Sequence, residues 1–557
     1  MEQVSGDRLR VESTRVALVD RKRLLLIFSA ALMIRALCAV FFTGEIDGEG
    51  AEYARIAQNI LSGKGYSGIA TEGTQLFFPP LFPFLIAGIS LITGDAEAAG
   101  RVVNVLFGAL LVYPVYLIGR RIFGGGIGLG AAAVVAFHPY LVQFSTTVHS
   151  EPTYLTLVLA AVYSAMCVMD RPTWRACAVS GGLYGIAYLV RPEAFIFMLV
   201  GMAFILIGRV LKGERDLPKT AGRLLVMPIC FLVVAGPYIG WLSLQTGQLR
   251  IEGKSPLNIS TELRIQQGLS RGEAGMGVDE DLRAQGVWMK PNIDVIKAHH
   301  VSLPTLATML AKKARRVVWD TSEALANNQE FGSPALFALA ILGLFARPWR
   351  RGQTIDHLHV FALLSLTVFA TFFIYYSGSR FYVLFLAFFC IWASAAAAGL
   401  MRWAKQSTAM LGLGRRQQVF AGKCALVLAV ATVITPAAIS ASRELSTARG
   451  TRPVKAVSES LAASGMPLRF ADASTPFAFH ARADFVWLPY CSEATALRYL
   501  QEKHVTHVVV RERAQSSRPY LEKWMVSGVP NSLLVARAIS DSGERVWIYD
   551  VRRASGG

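Results

Sequence analysis

The sequence predicts an all-α polytopic membrane protein of about eleven spanning helices, with juxtamembrane helices on its outer face and a small C-terminal α/β domain. Three observations predict this. Hydrophobic residues make up 53% of the 557 residues and charged residues only 17%, with a mean hydropathy of +0.42, whereas a soluble domain is about a quarter charged. Apolar runs of membrane-crossing length recur with polar breaks between them. The basic residues also divide by side: roughly sixteen Lys and Arg fall in the short loops assigned to the inside, against Arg191 and Arg380 in the short outer loops.

The first element follows the basic stretch Arg21-Lys22-Arg23 and runs apolar to Phe42. It is longer than a signal-peptide core and no A-x-A-like cleavage site follows it, so it reads as a retained span after a cytoplasmic tail, 1–23. Spans are expected near 24–43, 101–119, 127–146, 152–169, 176–190, 194–208, 224–243, 334–346, 358–376, 381–400 and 424–441, a membrane domain of 24–441. Residues 76–94 are long enough to cross but open on Pro79, Pro80 and Pro83. Were they to cross, every later loop would invert and the charge asymmetry would point the wrong way. They are therefore expected to form a re-entrant or interfacial outer helix.

Two long loops, 44–100 and 244–333, and the segment 442–557 then face outward. The second loop carries Lys312-Lys313 and Arg315-Arg316 on an amphipathic helix from Leu303 to Asn328, expected to lie on anionic headgroups. In the last segment, Val454–Ala463 and Ser492–His504 have helical periodicity, and Thr506–Val510, Leu533–Ile539 and Arg545–Tyr549 read as strands. The net charge of +18 falls in clusters between apolar runs, a topological pattern and not that of a nucleic-acid partner. The seven cysteines form no disulfide framework and no metal pair.

The first outer loop holds an amphipathic helix with Tyr53, Ile56, Ala57, Ile60 and Leu61 on one stripe, stopped by Gly63 and Gly65. Asp47, Glu49 and Glu52 stand at its N-terminal end, where carboxylates also serve simply as caps. Other outer turns carry ionisable groups at helix ends: His149-Ser150-Glu151-Pro152, Arg191-Pro192-Glu193 and Ser379-Arg380-Phe381-Tyr382. Charges at membrane depth are costly and are commonly functional or paired, Arg191 with Glu151 for example. Together these groups supply what transfer of a sugar from a lipid phosphate needs. Arg191 or Arg380 would hold the leaving phosphate, Asp47 or Glu49 would take the acceptor hydroxyl's proton, and apolar helices would wall the prenyl tail. No P-loop and no G-x-G-x-x-G between strand and helix is visible, which fits a donor already activated on the outer side.

The ordered set Glu49-x-x-x-Tyr53, Gly63-x-Gly65-Tyr66, Pro79-Pro80-Leu81-x-Pro83, Arg101-x-x-Asn104, Gly119-Arg120-Arg121-x-Phe123-Gly124, Ser150-Glu151-Pro152, Arg191-Pro192-Glu193 and Arg380-Phe381-Tyr382 resembles the polytopic GT-C glycosyltransferases. Within them it is similar to the protein O-mannosyltransferases and the aminoarabinose transferases of lipid A. The resemblance implies an inverting transfer of a sugar from a polyprenyl-phosphate donor to a hydroxyl of a lipid, glycan or protein, in the cytoplasmic (inner) membrane and on its extracytoplasmic face. The acidic residue four before the tyrosine is the family's base, which falls on Glu49. Two departures stand out. The family usually has Asp there, whereas here Glu49 is followed by Gly50 with Asp47 two residues earlier, so both remain candidates. The lipid A transferases place Lys before the Pro-Pro pair, where this chain has Phe78, so the donor phosphate needs another cation, Arg380 or Lys64. Glu52, Tyr53, His149, Glu151, Glu193 and Tyr382 complete the expected pocket. No metal-ligand spacing occurs, so no cofactor is demanded, and a divalent ion is left open.

Two other functions fit the helix count. A lipid-sugar flippase or transporter would show internal repeats and deep charges; no repeat is visible, and Arg35 is the main candidate for a deep charge, expected to pair locally or to lie near the outer end. An oligosaccharide polymerase or ligase would rely on the second outer loop, where Arg264, His299 and His300 sit.

Overall fold

The computed structural model describes residues 2–41, 44–214, 216–298, 301–326, 333–345, 348–374, 379–448, 453–463, 466–539 and 543–552. Each of the eleven expected spans meets a helix, and among the described residues eight helices are long and apolar enough to cross a membrane. The ends expected at 42–43, 327–328, 346 and 375–376 lie outside the described residues. Three expected spans are short: Gly125–Phe137, Trp174–Tyr188 and Ser333–Phe345, of 13, 15 and 13 residues. For the first, the residue before a proline is driven out of helical geometry, and His138, with ψ of 118°, breaks the run before Pro139.

Small residues let these helices approach closely. An added Cβ on Gly343 would sit 1.7 Å from the Trp392 carbonyl oxygen, so the Ser333–Phe345 helix lies almost in backbone contact with the Val383–Met410 helix. Arg35 is fully buried: its guanidinium donates locally to the Ala31 carbonyl and, far along the chain, to the Ser145 hydroxyl and the Val135 and Ala136 carbonyls.

Residues 76–94 yield the helix Leu81–Thr93, 13 residues long, which Gly94 ends in the left-handed region at φ 71°. It packs against the Gly48–Leu61 and Ala96–Leu110 helices while Leu91 and Ile92 stay exposed. The second long loop folds into the Lys254–Gln266 helix, shorter turns and the Leu303–Ala326 helix. On the latter, Lys312, Arg315 and Arg316 face outward with Val318 and Trp319, but Lys313 does not. At helical spacing from Met309 and Val317, it is turned inward and 5% exposed. His299 and His300 lie outside the described residues.

The C-terminal segment forms a five-stranded sheet of β1 (Arg469–Asp472), β2 (Asp484–Trp487), β3 (His507–Arg511), β4 (Leu533–Ile539) and β5 (Arg545–Asp550), in the order β2-β1-β3-β5-β4. β1 pairs in parallel with β2 and β3, and β5 runs antiparallel to β3 and β4. Every residue of β3 is buried, as a central strand covered on both faces requires. Three strands match the expected ones; β1 and β2 are four residues each and carry too short a pattern to read.

This sheet domain docks on the Gly48–Leu61 helix. The Thr475 hydroxyl donates to the Gly48 carbonyl at 3.1 Å, the Arg55 guanidinium donates to the Ala478 and Ala483 carbonyls, and the Trp487 indole donates to the Ala70 carbonyl at 2.9 Å. Gly343→Ala should lower the melting temperature of the purified protein by the equivalent of about 1–3 kcal/mol. Gly352→Ala, whose added Cβ meets nothing within 4 Å, should not.

Candidate active site

Six separate elements bring charge to one cavity of about 280 Å³. Glu49 stands in the first turn of the Gly48–Leu61 helix, which begins because the Asp47 carboxylate accepts from the Gly50 N–H at 2.7 Å. Lys254 opens the Lys254–Gln266 helix; the Glu252 carboxylate accepts from the Lys254 and Ser255 N–H groups, both at 2.9 Å. Glu151 and Glu193 open the Glu151–Asp170 and Glu193–Leu211 helices, Arg191 lies in the turn before the latter, and Arg380 lies in the 3-10 turn Ser379–Tyr382.

These groups form one chain of ion pairs. Glu49 Oε2 is 2.7 Å from Arg380 Nη2, and Glu49 Oε1 is 3.3 Å from Lys254 Nζ. Arg380 Nε lies 3.9 Å from Glu151 Oε1, which also pairs with Arg191 at 2.9 Å, and Arg191 reaches Glu193 at 3.2 Å. Burial would raise the Glu49 carboxyl, but Lys254, Arg380 and His149 hold it well below the ordinary carboxylate range. The Tyr53 hydroxyl bridges toward Glu49 Oε1 at 3.5 Å and donates to Ser150 Oγ at 3.2 Å.

One wall of the cavity is charged and the other is apolar, with Phe195, Ile196, Phe369, Phe373 and Leu384 among its residues. Ile196 and Phe369 are about half-exposed, at 48% and 49%, so the apolar wall reaches the bundle's surface between the Glu193–Leu211 and Arg351–Thr371 helices. That arrangement accommodates a phosphate at one end and a hydrocarbon chain at the other.

Of the residues expected at the site, Glu49, Tyr53, Glu151, Arg191, Glu193 and Arg380 line this cavity. Five others do not. Asp47 is the helix cap, with its second oxygen 3.4 Å from His149 Nε2, so both side chains face each other at the cavity's flank. Glu52 is sealed beneath the 66–75 loop, where its carboxylate accepts from the Ile69 and Ala70 N–H groups and from Gln75; burial raises its carboxyl against the pull of those bonds. One residue along a helix turns a side chain by about 100°, which separates Glu52 from Tyr53. Lys64 is exposed, because Gly63 and Gly65, at φ 75° and 79°, carry the chain away after Leu61. Tyr382 is buried, and its hydroxyl meets Thr321 Oγ1 at 2.9 Å. Arg264 donates to the Gln285 carbonyl and also lies off the cavity lining.

Lys254 is the residue that sequence reasoning missed. Its ammonium lies 4.6 Å from the centroid of the Phe78 ring. The place beside Pro79 and Pro80 thus has a cation over it, supplied from a segment far along the chain. Only the long-range fold carries that signal.

The fold and the charged cavity define a polytopic, mostly helical membrane protein with a chain of ion pairs at one end of an apolar-walled cavity. Residues 78–241 match the model of the dolichyl-phosphate-mannose-protein mannosyltransferase family, and the resemblance in the ordered motifs stands. The fold is similar to that of the Archaeoglobus fulgidus oligosaccharyltransferase tethered with an acceptor peptide, at 12% identity and a TM-score of 0.58, covering 95% of this chain and 74% of that one. A second structure of that archaeal oligosaccharyltransferase, AglB, in complex with an inhibitory peptide and a dolichol-phosphate, aligns at 13% identity and a TM-score of 0.57, over 91% of this chain and 71% of that one. ArnT from Cupriavidus metallidurans, bound to undecaprenyl phosphate, aligns at 11% identity and a TM-score of 0.53, over 94% of this chain and 97% of that one. No curated protein matches the sequence.

Glu52→Ala should cost about 1–3 kcal/mol of stability, read by thermal unfolding, because it orphans buried N–H groups. Lys64→Ala should leave both the melting temperature and turnover unchanged.

Proposed function

We propose that this protein transfers a sugar, with inversion, from a polyprenyl-phosphate-linked donor to a hydroxyl acceptor, with Glu49 as the base. The observation that carries this reading is the Glu49 carboxylate held 2.7 Å from Arg380 and 3.3 Å from Lys254 at the end of an apolar-walled cavity. The acceptor oxygen attacks the anomeric carbon on the face opposite the phosphate. Its proton passes to Glu49, the carbon–oxygen bond to the phosphate breaks, and the charge left on the phosphate is taken by Lys254 and Arg380. Arg191 already has two carboxylates, Glu151 and Glu193, and serves chiefly to hold Glu151 in place. The bilayer and the lipid-linked donor are the partners, and no cofactor enters the steps above.

The same two cations neutralise Glu49 before the donor arrives. A phosphate entering between them competes for both, and its negative charge raises the affinity of Glu49 for a proton at the moment a base is needed. The site lies on the extracytoplasmic side of the inner membrane, with the N-terminus cytoplasmic; the excess of basic residues in the loops at the opposite ends of the spans supports that orientation. Residues 24–441 form the transferase domain, and 442–557 the extracytoplasmic domain that braces the Glu49 helix.

Glu49→Gln should abolish transfer in a purified assay while the folded protein still binds carrier lipid; unchanged turnover would refute the assignment. Arg380→Ala should raise the donor KM by tenfold or more with the acceptor KM little changed. Lys254→Met removes a charge that favours ionised Glu49, so the acid limb of the pH–kcat/KM profile should move to higher pH. An unmoved limb would detach Lys254 from the base.

A further inference from the structure

Arg380 and Lys254 come from parts of the chain with no local reason to hold a common phosphate. The turn carrying Arg380 follows the Arg351–Thr371 helix, and Lys254 begins a helix of its own. Behind the cavity wall, the Leu303–Ala326 helix touches both. On its inner stripe the Lys313 ammonium, 5% exposed, pairs with Glu262 at 3.3 Å. Glu262 lies two turns along the helix that Lys254 opens, and Gln266 of that helix donates to Glu262 and to the Met309 carbonyl. The same ammonium donates to the carbonyl of Ile374, which itself lines the cavity. Two turns further on, Thr321 Oγ1 meets the Tyr382 hydroxyl at 2.9 Å.

Ile374 and Tyr382 flank Arg380 in the chain. One helix therefore holds Ile374 on the cavity lining, holds the Arg380 turn through Tyr382 and, through Glu262, also holds the element that carries Lys254. A buried ammonium is expensive, and here burial pulls the Lys313 ammonium below the ordinary lysine range, against the pull of Glu262. A leucine at this position would fill the space without that cost, but it would join neither element by a directed contact.

We propose that the Leu303–Ala326 helix is a positioning element for the donor-phosphate site, with Lys313 and Thr321 as positioning residues that set the separation of Lys254 and Arg380. The proposal rests on reading those two cations as the phosphate holders. Neither Lys313 nor Thr321 lines the cavity, so their effect is on donor geometry and not on proton transfer.

The test measures binding of undecaprenyl phosphate to the purified full-length protein by native mass spectrometry, alongside donor and acceptor KM. Lys313→Met combined with Glu262→Met removes the buried pair without leaving a lone charge. It should weaken carrier binding and raise the donor KM about tenfold, with the acceptor KM and the acid limb of the pH profile unchanged. Tyr382→Phe with Thr321→Val cuts the second tie by the loss of hydroxyls alone, and should weaken carrier binding at least threefold even if the first pair of substitutions does not fold. Carrier binding within twofold of wild type in either folded variant, with Arg380→Ala still weakened, overturns the proposal. Failure of the wild type to bind the carrier, or of Arg380→Ala to weaken it, overturns the donor reading and this inference with it.

Discussion

Charges at the edge of a membrane protein must be paired or they unfold it, and that constraint organises this molecule. Glu49, Glu151 and Glu193 stand at the starts of three helices, and Arg191, Lys254 and Arg380 come from turns or helix ends elsewhere in the chain. Desolvating any one of them alone would cost several kcal/mol. Pairing them in sequence, from Lys254 through Glu49, Arg380, Glu151 and Arg191 to Glu193, offsets that cost only if every element meets at one point. The spans can differ in length and the loops in path, but the ends that carry these groups cannot drift apart.

The parts outside the bundle make sense as supports for that meeting point. The Gly48–Leu61 helix is held from one side by its Asp47 cap and by Glu52 beneath the 66–75 loop. From the other side it is held by the sheet domain through Thr475 and Arg55. Among the described residues the C-terminal domain brings no group to the cavity lining, and its contacts tie it to the Gly48–Leu61 helix. Three carboxylates within six residues thus divide into a cap, a base candidate and a loop anchor. Asp47 stands outside the helix as its extended cap, Glu49 in the first turn meets Arg380 and Lys254, and Glu52, one turn further on, is taken by the backbone of the 66–75 loop.

A site of this kind can keep its chemistry while its residues change address. Where the resemblance leads one to expect a lysine before the Pro-Pro pair, the chain has Phe78, and the ammonium of Lys254 arrives over that ring from the second long loop. The aromatic face is a favourable seat for a cation, worth about 0.5–2 kcal/mol. What a phosphate-binding site requires is positive charge at a place, and the route by which a chain delivers it is free to vary.

Much of the architecture was legible from the residues. Apolar runs placed each of the eleven expected spans on a helix, eight of these helices being long enough to cross a membrane among the described residues. Within 76–94, expected to be re-entrant or interfacial, lies the short Leu81–Thr93 helix. Charge at otherwise uncharged turns picked out Glu151, Arg191 and Arg380 before any contact was known. Hydrophobic burial and the cost of charge in lipid are one-dimensional constraints, written along the chain at the spacing of a helix or a span. Tertiary structure alone put Glu49 on the cavity lining and Asp47 at its flank, placed Lys64 and Tyr382 off the lining, and turned Lys313 inward. It also brought Lys254 to Phe78 and paired the four-residue strands β1 and β2. These depend on which groups the folded chain brings together, and a lysine in a loop carries the same charge in the sequence wherever the fold later puts it.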